Sequence, residues 1–331
     1  GMEVILIPQF DPKDFAHYMV KYRPNHMTGV PSHYGFLIDH PKLEDTSLDL
    51  FLHKLGLKKH LNSDLSYIIA PTVGGDKMDE NLERNTNRYL QKHGCPYLVV
   101  KGYGLTEVTG AVSACTSNEA NAIGSVGIPF PHTTISIFDP KTGEELSYGE
   151  RGEVCIISPN TMLSYYENEE ATKDMIRPHK DGRCWLHTGD IGYMNEDGLL
   201  FIVDRMKRMI VRHDGFKVFP SEVETVITAH PAVKACSVVG ISDLDHAQGN
   251  LPKAHIVLNE SFSLNTHQVC EELKALCEKY LAEYAQPVEY EIENALPLTP
   301  IGKVDYLTLE KKDAEKQKEL LQTGYTKTLH L

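Results

Sequence analysis

The stretch His187–Glu224, HTGDIGYMNEDGLLFIVDRMKRMIVRHDGFKVFPSEVE, decides how the chain is read, because one structural unit ends inside it and another begins. In Thr188-Gly189-Asp190 a glycine precedes an acid, which predicts a glycine turn presenting a short carboxylate. Asn195-Glu196-Asp197-Gly198 is a turn signal, and Gly198–Val203 then reads as a buried strand closed by charge at Asp204-Arg205. Pro220–Glu224 reads as a helix start, with Ser221 as N-cap and Glu224 completing a capping box. A domain boundary is therefore expected just after Val203.

Upstream, strands alternate with helix-length segments. Val4–Pro8, His26–Val30, Leu65–Ala70 and Tyr97–Lys101 read as strands. Asp11-Pro12 opens one helix, and Asp79–His93, stopped by Gly94, is another. This order predicts a partial parallel sheet with helical crossovers over residues 1–116, with ligands beyond the carboxyl ends of its strands. Residues 117–203 change texture to short alternating runs such as Thr134–Phe138 and Gly152–Ile157, a small, mostly antiparallel β section of barrel-like form. Residues 204–331 read as a compact α+β domain, with helices at Ser221–Ala229 and Thr266–Leu281 and strands at Lys234–Ile241, Lys253–Leu258 and Val288–Ile292. Its tail, Leu309–Lys318, reads as a solvated charged helix. The fold class is α/β with these three parts.

Composition narrows the function classes. The chain has 331 residues, 33 Lys plus Arg against 46 Asp plus Glu, and a formal charge of −13, which argues against a general nucleic-acid binder. Seven scattered cysteines without CxxC spacing fit reduced thiols. The histidines lack ligand spacing along the chain, so no structural metal is expected. No apolar run approaches membrane-spanning length, and a soluble, cytoplasmic protein is expected.

Several residues have chemistry to offer. In Tyr103-Gly104-Leu105-Thr106-Glu107 the glycine lets backbone approach a flat ligand, and Tyr103 offers an aromatic face. Thr106 adds a hydroxyl, and Glu107 adds a hard oxygen suited to Mg²⁺ beside phosphates. Asp190 can accept from two sugar hydroxyls, and Arg205 carries a forked donor. In Leu296–Lys303 two prolines and Gly302 make a stiff turn that holds Lys303 forward.

These motifs resemble those of the AMP-forming adenylating enzymes, which include acyl-CoA synthetases, luciferases and peptide-synthetase adenylation domains. The resemblance rests on TGD, G-x-L-x-I-x-D-R, DGFKVFPSEVE, YGLTE and P-x-x-x-x-G-K, and covers the C-terminal part of a family member. It implies activation of a carboxylic acid by ATP as an acyl-adenylate, then thioester formation with CoA. It places adenine against Tyr103, Gly104, Gly74, Gly75 and Asp76, the phosphate near Thr106, and Mg²⁺ on Glu107. The ribose falls to Asp190 and Arg205, the hinge of a mobile C-terminal domain to Lys207, the thiol tunnel to the Gly215 loop, and first-step catalysis to Lys303. His33, Tyr34 and Gly124–Gly127 are implied near the acid pocket. A Ser/Thr/Gly-rich phosphate loop is expected from an N-terminal portion, in a longer or a split enzyme. The rival readings are a peptide-synthetase adenylation domain and a non-catalytic nucleotide- or CoA-binding module.

Overall fold

In the computed structural model, which describes residues 1–7, 14–39, 43–246, 248–259, 266–299 and 303–322, the first five strands form one sheet in chain order. β1 (His26–Gly29), β2 (Ala70–Val73) and β3 (Val100–Leu105) are parallel, while β4 (Gly110–Ala114) and β5 (Ile128–Pro129) continue the sheet antiparallel. Parallel neighbours need crossovers. The chain supplies α1 (Phe15–Tyr22) before the sheet, α2 (Pro31–Asp39) and α3 (Ser47–Lys54) between β1 and β2, and α4 (Glu80–Lys92) between β2 and β3. The ends of α4 are set by local chemistry: Asp79 accepts from the N–H groups of Asn81 at 2.9 Å and Leu82 at 3.2 Å, and Gly94 beyond the end has φ +89. Phe15, Met19, Tyr34, Leu37, Leu65 and Leu90 are among the residues of the core here.

Two predicted strands are corrected. Val4–Ile7 have no regular structure, and Asp11-Pro12, like Pro8, lie outside the described residues. Leu65 and Ile68 are fully buried in a loop, and the strand starts only at Ala70, where the pairing with His26 begins. An apolar run marked burial there rather than extended pairing.

Beneath β3 the buried Lys101 ammonium pairs with the Glu83 carboxylate of α4. Lys101 also donates to the Ala122 carbonyl at 3.0 Å, and Glu83 accepts from Gly124 N–H at 3.0 Å, so both buried charges have further partners.

A second sheet follows the order β10 (Leu200–Arg205), β9 (Cys184–Met194), β7 (Gly152–Ile157), β6 (Thr134–Phe138), with β8 (Ile176–Pro178) antiparallel on β9. β6 and β7 have the predicted bounds, but the strands form a linear path and not the expected barrel. A short helix, α5 (Glu169–Met175), is capped by Asn168, which accepts from Ala171 N–H at 3.0 Å.

By their contacts the residues group into two units, Gly1–Glu150 with Cys155–Thr188 and Tyr193–Ile202, and Arg151–Val154 with Gly189–Gly192 and Val203–Leu331. The second unit holds the hairpin β11 (Ile210–Val211) and β12 (Lys217–Val218), then α6 (Pro220–Thr228). Its main sheet is β13 (Val233–Ser242), β14 (Asn250–Leu258) and β15 (Glu289–Glu293), antiparallel then parallel. α7 (Thr266–Tyr280) buries Val269, Leu273 and Cys277 at helical spacing against a core that includes Val223, Ile227 and Ile256.

The expected cap of α6 is replaced. The helix starts at Pro220, and Ser221 already lies inside it. Asp204 accepts from Ser221 N–H at 2.9 Å, so a carboxylate 17 residues upstream satisfies the orphan donor. Glu224 turns instead to Val238 N–H at 2.8 Å and to the Arg208 guanidinium at 2.5 Å, and burial pushes its carboxyl up.

The tail helix is also corrected. α8 (Tyr306–Gln322) buries Leu309 and Asp313. Asp313 accepts from buried Lys253 at 2.6 Å and meets Nε2 of fully buried His255 at 2.8 Å, both on β14. Lys312 and Lys316 reach the β15 carboxylates of Glu291 and Glu293. This charged helix is docked by its charges.

Candidate functional site

In the first unit the strand ends meet as a parallel sheet requires. Thr72 and Val73 pair with Val100 and Lys101, so Gly74 and Gly75 leave β2 alongside Gly102 and Tyr103 on β3. A Cβ on Gly74 would lie 3.7 Å from the Gly102 carbonyl oxygen. Gly75 has φ +77, and Asp76 is exposed, its Oδ1 accepting from Lys77 N–H at 2.9 Å.

Tyr103 and Gly104 stand on β3 itself rather than in a loop after it. The ladder to β4 shifts register between them. A Cβ on Gly104 would fall 1.8 Å from the Gly110 carbonyl oxygen, so the crossing of β3 and β4 admits only glycine. Thr106 and Glu107 follow in a single 3₁₀ turn, with Thr106 exposed and Glu107 half-buried.

The Glu107 carboxylate accepts from the Tyr165 hydroxyl at 2.6 Å, and its carbonyl accepts from Met162 N–H at 2.7 Å. Thr109 Oγ1 donates to the Asn160 carbonyl at 2.9 Å. Burial and then the Glu107 carboxylate push the Tyr165 phenol up to about 12, so it is a donor at neutral pH. Tyr165 is a partner that sequence reading missed. It lies 58 residues from Glu107, and no local signal joins them.

In the second unit Asp190 is buried on β9, within an eleven-residue strand and not in the predicted turn. Gly189 takes φ +68 there, and its N–H donates to Glu153 at 3.0 Å. Arg205, at the end of the neighbouring strand β10, binds Asp190 Oδ1 through Nε at 2.8 Å, with the arginine 59% exposed and the acid 4%. A buried acid is thus held by an exposed guanidinium. Lys207 is exposed in the 3₁₀ turn Met206–Arg208, while Ile210 is buried.

Gly215, φ +84, forms the turn of the β11–β12 hairpin, where its N–H donates to the Arg212 carbonyl at 3.0 Å. Lys303 closes a loop whose Pro300–Gly302 lie outside the described residues. Its carbonyl accepts from Thr299 N–H at 2.7 Å, and Leu298 and Val304 form a bridge.

Of the pocket candidates, Tyr34 is fully buried and donates to the Thr72 carbonyl at 2.9 Å, which makes it core. His33 sits in the first turn of α2, stacked on Phe15 at 6.2 Å, and burial lowers its pKa. The seven cysteines are free thiols. No helix among the described residues is long and apolar enough to cross a membrane.

Comparison with known proteins gives this arrangement its place. The AMP-binding enzyme profile matches residues 1–166, and the AMP-binding enzyme C-terminal domain matches residues 222–303. The chain is 33% identical over 304 residues to a long-chain-fatty-acid–CoA ligase of Bacillus subtilis (strain 168), covering 92% of this chain and 48% of that one. It is 35% identical over 271 residues to probable 4-coumarate–CoA ligase 1 of Dictyostelium discoideum, covering 82% and 44%. The crystal structure of ATP-bound MatB from Rhodopseudomonas palustris superposes with a TM-score of 0.75 at 25% identity, covering 93% of this chain and 54% of that one. The amide bond synthetase McbA from Marinactinospora thermotolerans gives 0.73 at 27%, covering 92% and 56%.

The chain belongs to the AMP-binding enzyme family. It spans about half the length of the curated relatives it matches.

Proposed function

We propose that this chain forms the adenylate-binding and C-terminal part of an AMP-forming acyl-CoA synthetase, which joins a carboxylic acid to CoA at the expense of ATP. The observation that carries the reading is the alignment of Gly74-Gly75 beside Gly102-Tyr103 at the carboxyl ends of parallel strands, with Glu107 one turn further on. Open parallel sheets bind ligands at that edge. Tyr103 would face adenine, with the Gly74–Asp76 loop as the second wall. Asp190 would accept from the ribose hydroxyls, with Arg205 beside it, and Thr106 would contact phosphate.

One half-buried carboxylate with a neighbouring hydroxyl fits a magnesium ion, which keeps waters and substrate phosphates as its other ligands. Bound on Glu107, the ion would neutralise phosphate charge. Tyr165, donating to Glu107, orients that carboxylate. Lys303 would serve adenylate formation, the Gly215 hairpin the thiol step, and Lys207 the change between them. A separate or preceding N-terminal portion would supply the phosphate loop.

The test is calorimetric titration of this chain with a non-hydrolysable acyl-adenylate analogue. Binding that Asp190→Ala weakens by about 10- to 100-fold, the worth of hydrogen bonds to a charged group, supports the reading. Equal binding by the variant removes Asp190 from the ribose, and no binding by the folded chain removes the adenylate site.

A further inference from the structure

Spacing along the chain concealed one cluster that the fold assembles. His213 lies in the turn of the β11–β12 hairpin, and Asp243 and His246 lie in the segment after β13. His213 Nδ1 is 2.9 Å from Asp243 Oδ2, and His246 Nδ1 is 2.8 Å from the same oxygen. The two rings stack 6° from parallel with centroids 3.4 Å apart.

The geometry points to a binding site for a divalent transition-metal ion of the zinc class at His213, Asp243 and His246. Two imidazole nitrogens and one carboxylate oxygen form an N₂O set, which suits zinc and its neighbours and leaves a position for water. The three donor atoms lie within 4.8 Å of one another. The donors converge because the surrounding backbone holds them. Asp243 N–H donates to the Gly249 carbonyl at 3.1 Å, and Asp245 N–H occupies Asp243 Oδ1 at 3.1 Å, which directs Oδ2 at the imidazoles. A carboxylate oriented in this way by a second hydrogen bond is the usual support of a metal ligand. Gly249 has φ +109, and a Cβ there would lie 2.3 Å from the His213 nitrogen, so the two turns touch through bare backbone.

The charge state suits a cation. The nearby Arg212 guanidinium is turned to Asp214 at 3.1 Å and to the Tyr284 carbonyl at 3.3 Å. Among the described residues, no lysine or arginine pairs with Asp243. This separates the cluster from His255, Glu291 and Glu293, whose carboxylates are already met by Lys253, Lys312 and Lys316.

Access is open: the Asp243 side chain is 3% exposed, but those of His213 and His246 are 28% and 45%. Binding both Nδ1 atoms requires the stacked rings to open, and His246, the more exposed, is the one placed to turn. An ion there would take the place of the two shared protons and pin the hairpin turn, two residues before Gly215, to the segment after β13. The proposal is independent of the function proposed above.

The experiment is calorimetric titration of the chain with Zn²⁺ alone, repeated for His213→Ala, His246→Ala and Asp243→Asn. Cys184→Ser and His60→Ala, both at exposed positions, serve as controls, and circular dichroism confirms folding. One site per chain is expected, weakened by about 10²-fold or more in each of the three variants and unchanged in the controls. Co²⁺ at this site should give ligand-field bands without a thiolate charge-transfer band. No binding by the folded wild-type chain, equal binding by His213→Ala and His246→Ala, or a thiolate band with Co²⁺ would each overturn the site and leave a hydrogen-bonded clasp.

Discussion

At the residue scale, the proposed site residues are held by partners of unequal reach. Glu107 is held by Tyr165 and Asp190 by Arg205, each in its own unit. Lys303 sits at the mouth of a short loop tied by Thr299. On the proposed function its ammonium offsets charge as a carboxylate attacks phosphorus. In a protein with the full length of the relatives, Lys303→Ala should therefore lower adenylate formation by about 10². Thioester formation from supplied acyl-adenylate should change far less, and single-turnover assays of the two steps check the split. Equal loss in both would take the role away from Lys303. The types of these residues were legible in the sequence because each motif is local. Tyr165 was not, because its link to Glu107 exists only after folding.

At the scale of elements, two misreadings, the cap of α6 and the tail helix, share a physical cause: a local rule gave way to a distant partner. Ser221-x-x-Glu224 satisfies the capping-box pattern, yet the buried Asp204 carboxylate caps α6. The tail helix carries the charge pattern of a solvated helix, yet Asp313 on it meets Lys253 60 residues away and His255 58 residues away. Thr134–Phe138 and Gly152–Ile157, by contrast, were read with their observed bounds because turns flank both, although Gly152–Ile157 is buried at five successive positions and does not alternate. Asp313→Ala removes one buried carboxylate from Lys253 and His255, which keep Glu291 at 2.8 Å and Glu293 at 2.9 Å, so it should destabilise the second unit by about 1.5–3 kcal/mol in urea unfolding, the worth of a hydrogen bond to a charged group. Burial alone would push the Asp313 carboxyl up, but hydrogen bonds and charge from His255 and Lys253 hold it below its ordinary value. A depressed acid contributes stability that is fully present above its unfolded pKa of about 4 and is lost as pH falls through the folded value. Unfolding of the second unit in acid should therefore steepen below about pH 4, and Asp313→Asn should flatten that dependence. An unchanged acid limb in the variant would exclude the network as its source.

At the scale of the whole molecule, each unit has its own core, and Trp185, the single tryptophan, is fully buried in the first. Its fluorescence therefore reports one unit, while far-ultraviolet dichroism reports both. Leu273→Ala, which opens a cavity in the second core, should cost about 2–5 kcal/mol there and leave the Trp185 transition in place. Leu90→Ala should shift the Trp185 transition by a similar amount. If both variants move it equally, the units unfold as one cooperative body. The two-unit grouping also bears on how the molecule is handled. A gene segment trimmed to stop just after Lys303 would still encode every proposed site residue. It would also strip α8 from the sheet and take the Asp313 carboxylate from Lys253 and His255. A premature stop codon or a proteolytic nick between Lys303 and Asp313 is then a lesion of the folded interior, however peripheral it looks on a gene map.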